Sequence, residues 1–300
     1  MRLVAALFFL LSVLAAEPAH AQGKRVALVI GNEAYAHASA LKNPVRDAAA
    51  VAAALKRIGF ELVEVQRNLG VDALRRALLA FEGHATGADI ALVFFAGHGI
   101  EVDGVNYLVP TDARLTRANG VELEAVALPT VTAAISGARK LRLVILDSCR
   151  NNPFQPRLAA DSGRKRSIGR GLARVEPGDN ELIAFAAAAG TTADDGEAGN
   201  SPFTTALLKH LERPGLEVQQ LFRNVRDEVI ASTARGQVPH VYGTLGAEPV
   251  FFRAALASVD TVKANEAEIA RRVAAERARL EAEMAARLEA EKRRLAAATP

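Results

Sequence analysis

Short, almost wholly apolar runs recur along the chain, separated by stretches of helical period. "RVALVIG" (25–31), "DIALVFFAG" (89–97) and "LRLVILDSC" (141–149) carry no polar alternation, as expected of strands covered on both faces. "FELVEV" (60–65), "ELIAFAAAA" (181–189) and "PVFFR" (249–253) read as further strands. Between them lie helical patterns at 43–59, 71–85, 127–138, about 202–212 and about 217–234. The first has Pro44 in its opening turn and Gly59 at its stop. "VDGVNYLVP" (102–110) reads as a hairpin around Asp103-Gly104. Strands alternating with helices predict an α/β fold, a mostly parallel sheet with helices on both faces. Residues 150–180 break the rhythm with Pro, Gly and basic residues, and read as a long exposed loop.

The two ends differ from this middle. Arg2, the apolar "LVAALFFLLSVLAA" and "AHA" at 19–21 form a signal peptide pattern over 1–21, so the chain is expected to be exported, periplasmic or secreted. It meets a membrane only if that segment stays uncleaved. From about Leu256 to Ala298 the sequence is rich in Ala, Glu, Arg and Leu, a charged helical tail. Ile269, Val273, Leu280, Met284 and Leu295 form a thin stripe with an eleven-residue repeat. Glu268/Arg272, Glu283/Arg287 and Glu289/Arg293 are spaced as i,i+4 pairs. The tail suits either a solvated single helix or a coiled coil that self-associates or holds a partner protein.

Composition narrows the chemistry. Net charge is +3 over 300 residues, and no nucleic-acid motif appears, so nucleic acid is not an expected partner. A single cysteine, Cys149, excludes an internal disulfide and a cysteine-based zinc site. The scattered histidines have no ligand spacing, and neither a P-loop, a G-x-S-x-G elbow nor an H-E-x-x-H is present. No metal or other cofactor is expected. There is no EF-hand pattern either.

His98 and Cys149 remain, each at the carboxyl end of an apolar strand, where sites form in parallel sheets. A thiol becomes a nucleophile as thiolate, and an imidazole can take its proton and later protonate a leaving amine. The backbone N–H groups of Gly99 and Cys149 are candidate oxyanion donors. Ser148 would face away from a site that Cys149 faces, by strand alternation.

These motifs resemble those of caspase-like cysteine peptidases, in particular their metacaspase-type bacterial members. "FFAGHG" is similar to their histidine strand and "ILDSCRN" to their cysteine strand, with 51 residues between His98 and Cys149. "VALVIGNEAY" with "LKNPVRDAAAVAAAL", "DGVNYLVPTDA", "NSPFTTALLKHL" and "GQVPHVYGTL" extend the resemblance over about 24–253. It implies a caspase–haemoglobinase fold with a p20-like part (24–152), the basic loop (153–180) and a p10-like part (181–253). It implies endopeptidase activity on proteins or peptides, with Cys149 as nucleophile, His98 as acid/base and Gly99 in the oxyanion hole. Asp147 and Asp47 match acids that line the pocket for the residue before the cut, so cleavage after Arg or Lys is expected. Arg164, Lys165 and Arg166 lie where family members are often cut, as sites for self-processing. Calcium activation occurs in some metacaspases. The alternative is a scaffold of the same fold, weakly active or inactive, that binds envelope partners through its tail.

Overall fold

A computed structural model of the chain describes residues 23–149, 153–162, 172–187, 199–255 and 259–297. Residues divide between Ala254 and Ala255 into two compact units.

The first unit is built on one sheet. β1 (Arg25–Gly31), β2 (Leu62–Arg67), β3 (Ile90–Val102), β6 (Leu141–Cys149) and β7 (Glu181–Phe185) run parallel, in the order β2-β1-β3-β6-β7. β8 (His240–Tyr242) closes one edge antiparallel to β7. β4 (Val105–Leu108) turns back on the end of β3, and β5 (Val126–Ala127) pairs with β4.

Strand alternation sorts the apolar runs between two faces. Val29, Leu92, Phe94, Leu143 and Ile145 face α1 (Pro44–Arg57), α6 (Pro202–Leu211) and α7 (Val218–Ser232). Leu28, Val93, Phe95, Val144 and Leu146 face α2 (Val71–Ala85) and α4 (Leu128–Ala133). Every residue of β1 and β3 is buried, which is why neither strand shows a polar side. The fold class is the one expected: a mostly parallel sheet with helices on both faces, and a separate C-terminal helix.

Several boundaries differ from the sequence reading. β3 does not stop at Gly97 but continues to Val102, because β4 supplies partners for Gly99–Val102 where the parallel neighbours end. His98 therefore lies within a strand rather than past its end. The hairpin turns at Asp103 (φ 52°) and Gly104 (φ 82°), two left-handed positions that glycine and aspartate tolerate. Residues 150–180 are not simply loop. The short helices α3 (Val121–Glu124) and α5 (Gln155–Ser162) went unread, and α5 forms where Phe154 and Leu158, one helical turn apart, are both fully buried. They join Tyr35, Ile100, Tyr107 and Leu115 in a third small core beneath the hairpin.

"PVFFR" is not a strand. Only a single bridge, Phe251 to Glu217, forms there, and Phe252 is buried against Phe60 with ring centroids 6.0 Å apart. The last strand is instead His240–Tyr242. α4 ends at Ala133 and runs on as tight i→i+3 turns to Ala138. β7 ends at Phe185.

Arg25 ties the amino end of the sheet together. It is buried and donates to the carbonyls of Phe252 (2.6 Å), Ile58 (2.9 Å) and Gly59 (2.8 Å). Its guanidinium carbon lies 5.4 Å from the Phe60 ring centroid. Burial lowers its pKa.

The second unit is α8 (Val259–Ala297), a helix of 39 residues. Ile269, Val273, Leu280, Met284 and Leu288 are exposed along it. Two predicted ion pairs form, Glu268–Arg272 (3.0 Å) and Glu283–Arg287 (2.7 Å). Glu289 pairs with Lys292 at 2.9 Å, so the expected Glu289/Arg293 pair is corrected to an i,i+3 one. Among the described residues, no helix is long and apolar enough to cross a membrane. The 1–21 segment lies outside the described residues.

Candidate active site

The parallel register of β3 and β6 ends with His98 paired to Cys149 by Cα position. Adjacent strands stand about 4.8 Å apart, so two residues 51 positions apart in sequence share one rim of the sheet. Ala96 and Asp147 are the preceding register partners but one, and Gly97 pairs with Ser148. Ser148 is buried, and a Cβ on Gly99 would stand 3.3 Å from its own Cβ.

His98 is almost fully buried and held at both ends. Its backbone N–H donates to Tyr35 Oη at 2.7 Å. Its ring Nε2 lies 3.0 Å from the Ser39 carbonyl oxygen. A carbonyl only accepts, so Nε2 carries the proton and the basic lone pair of the neutral ring belongs to Nδ1. The Tyr35 ring lies against the imidazole, with centroids 4.4 Å apart.

Gly97 is small because it must be: a Cβ there would stand 2.6 Å from Tyr35 Oη and 2.9 Å from Phe95 Cζ. Along a strand, successive N–H groups point to opposite edges. The carbonyl of His98 accepts from Val109 N–H at 3.0 Å, on the β4 edge. The Gly99 N–H therefore points to the other edge, the one that borders β6 and Cys149.

The two acids converge on the start of α6. Asp47, buried in the first turns of α1, accepts from Ser201 N–H at 3.1 Å. Asp147, on the same sheet face as Ile145, accepts from the hydroxyls of Ser201 (2.5 Å) and Thr204 (2.7 Å). Ser201 in turn caps α6 by accepting from Thr204 N–H at 2.9 Å. Asp47 thus meets a backbone N–H at the positive end of α6, and Asp147 meets two hydroxyl donors there.

Ser201, Thr204 and Ser39 went unread in the sequence. "NSPFTT" does carry an N-cap signal, Ser201 before Pro202, but nothing local says that this cap also meets two acids 154 and 54 residues upstream. Asn32 accepts from Leu69 N–H at 2.9 Å, and Asp112 accepts from Val71 N–H at 2.9 Å at the start of α2. Arg157 donates to the His37 carbonyl at 3.2 Å. Arg164, Lys165 and Arg166 lie outside the described residues. Among the described residues, no three His, Cys, Asp or Glu side chains gather in a way that could hold a metal ion.

The architecture can be compared with known proteins. It is similar to the crystal structure of caspase-1 from Spodoptera frugiperda, with a TM-score of 0.51 and 17% sequence identity, covering 79% of this chain and 92% of that one. At that identity the likeness speaks for the fold alone. No curated protein sequence is similar enough to count as a relative. The caspase domain family matches residues 24–248, three quarters of the chain and nearly all of the sheet-bearing unit. With that match, the chain belongs to the caspase domain family of cysteine endopeptidases.

Proposed function

We propose that the protein cleaves peptide bonds after Arg or Lys, with Cys149 as nucleophile and His98 as its acid/base partner. The observation that carries this is the terminal register pair of β3 and β6, His98 beside Cys149, in a chain with no other cysteine. His98 Nδ1 takes the thiol proton as sulfur attacks the scissile carbonyl. The negative oxygen is received by the N–H groups of Gly99 and Cys149. The imidazolium then protonates the leaving amine, and water, deprotonated by the same ring, hydrolyses the thioester.

Asp47 and Asp147 support selection of a basic residue. Each accepts a hydrogen bond from Ser201, Asp47 from its N–H and Asp147 from its hydroxyl, and together they offer two negative groups to an arriving guanidinium or ammonium. The test is a peptide series differing only at the residue before the cut, run with and without calcium. Arg and Lys peptides are expected to be cleaved, Asp peptides not, and Cys149→Ala to be silent. Preferred cleavage after Asp, or equal cleavage of all, would overturn the assignment.

Signal removal after Ala21 and self-cleavage near Arg164, Lys165 and Arg166 belong to the same reading. Intact mass of the protein recovered from cells tests both, against Cys149→Ala. The second reading, a scaffold that works through its tail, is favoured by one observation: five large apolar side chains stand exposed along α8. A chain that fails to label with an Arg-based thiol probe, while its isolated complexes depend on α8, would support it.

A further inference from the structure

β3 and β4 keep a register in which Gly99 faces Leu108 and Ile100 faces Tyr107. One step further, His98 faces Val109. The Val109 N–H does donate to the His98 carbonyl, at 3.0 Å. A hydrogen-bonded antiparallel pair exchanges two such bonds. The return bond is replaced: His98 N–H donates to Tyr35 Oη at 2.7 Å, and that hydroxyl reaches the Val109 carbonyl at 3.4 Å. A side-chain oxygen is thus spliced into the ladder at the residue that carries the imidazole. Gly97 leaves the space for it, since a Cβ there would stand 2.6 Å from the hydroxyl.

The same short segment also grips the ring. Ser39, four residues after Tyr35, accepts from Nε2 at 3.0 Å. One loop therefore sets both the backbone and the ring of His98. We propose that Tyr35 is a positioning residue for His98, its hydroxyl a spacer that holds the histidine backbone off β4 and so fixes where Nδ1 points. The proposal rests on the reading of His98 as the acid/base partner. Without the hydroxyl, His98 N–H closes onto the Val109 carbonyl, the backbone moves toward β4, and a ring still tethered to Ser39 tilts away from its working angle.

The test uses the full chain carrying Tyr35→Phe. Rates on an Arg peptide are normalised to active sites titrated with a covalent thiol probe. The expected result is a kcat lower by about tenfold or more with KM within about twofold, since a misaligned proton relay slows chemistry and not binding. Ring nitrogen NMR of His98 is expected to show a shifted titration midpoint. Gly97→Ala, whose methyl displaces the hydroxyl, should give the same loss, and the double variant no more than either single one. Unchanged kcat and unchanged ring titration would overturn the proposal. So would a loss that disappears on normalising to active sites, or losses that add. The ring titration is read whether or not the wild-type chain turns over peptide, so failure of the peptidase reading is separable from failure of this one.

Discussion

Asp147 and Glu268 are both acids with a donor within 3.0 Å, yet they belong to regions that use charge in opposite ways. Asp147 is buried at the sheet rim, where hydroxyl donors from Ser201 and Thr204 surround one of its oxygens. Glu268 lies on α8 beside Arg272, whose side chain is 80% exposed. In the first region a lost partner leaves a buried charge stranded, which is expensive. In the second, water replaces the partner at little cost. The sheet-bearing unit should therefore answer sharply to single substitutions, and α8 hardly at all.

The sharpest break is chemical. Cys149→Ala and His98→Ala should each lower peptide cleavage by roughly a thousandfold or more per folded molecule; His98→Ala should also lower the melting temperature, because it empties a buried ring site against Tyr35. Residual activity near wild type in either variant would remove that residue from the chemistry. Next is Arg25→Leu. It strands three carbonyls at the amino end of the sheet and should cost about 2–4 kcal/mol in urea unfolding. Ser201→Ala removes the α6 cap and one donor to Asp147. A loss of about 1–2 kcal/mol is expected, with a weaker preference for Arg over neutral peptides, read from kcat/KM ratios. An unchanged ratio would make the Ser201–acid contacts purely structural.

Glu228 sharpens the comparison by pH. Burial pushes its carboxyl up, but hydrogen bonds from Lys209 and His210, each 2.8 Å away, outweigh that and hold it below the usual carboxylate range. A carboxyl depressed in the folded state contributes stability above its unfolded pKa, about 4.3, and that contribution is lost as pH falls through the folded value. Glu228→Gln should flatten the stability–pH curve on its acid side, measured by thermal melts in steps below neutrality. The smallest effect belongs to the tail. Glu268→Ala should change helicity or stability by no more than about 0.5 kcal/mol, and a larger change would mean that α8 is packed against something.

The contrast also explains what could be read without coordinates. β1, β3 and β6 announce themselves because burial on both faces leaves unbroken apolar runs. His98 and Cys149 were legible for the same reason: each ends such a run. α5 was not, because Phe154 and Leu158 are two apolar residues among polar ones and declare a face only when a third core waits to receive it. β8 was hidden because an edge strand of three residues has too little period to count, whereas "PVFFR" has period but spends Phe252 on packing. Tyr35 and Ser201 look like turn and cap residues locally. Their partners lie 63 and 54 residues away, and no local pattern encodes that distance.

Arg25 carries a consequence for how the molecule comes into being. Its bond to the Phe252 carbonyl spans 227 positions, so the first strand of the sheet is completed only by nearly the last residue of the unit. Contacts that far apart slow folding. While the chain is still being synthesised, a shorter nascent form can hold Arg25 by the Ile58 and Gly59 carbonyls alone, so the contact that closes the amino end of the sheet comes only once Phe252 has been made.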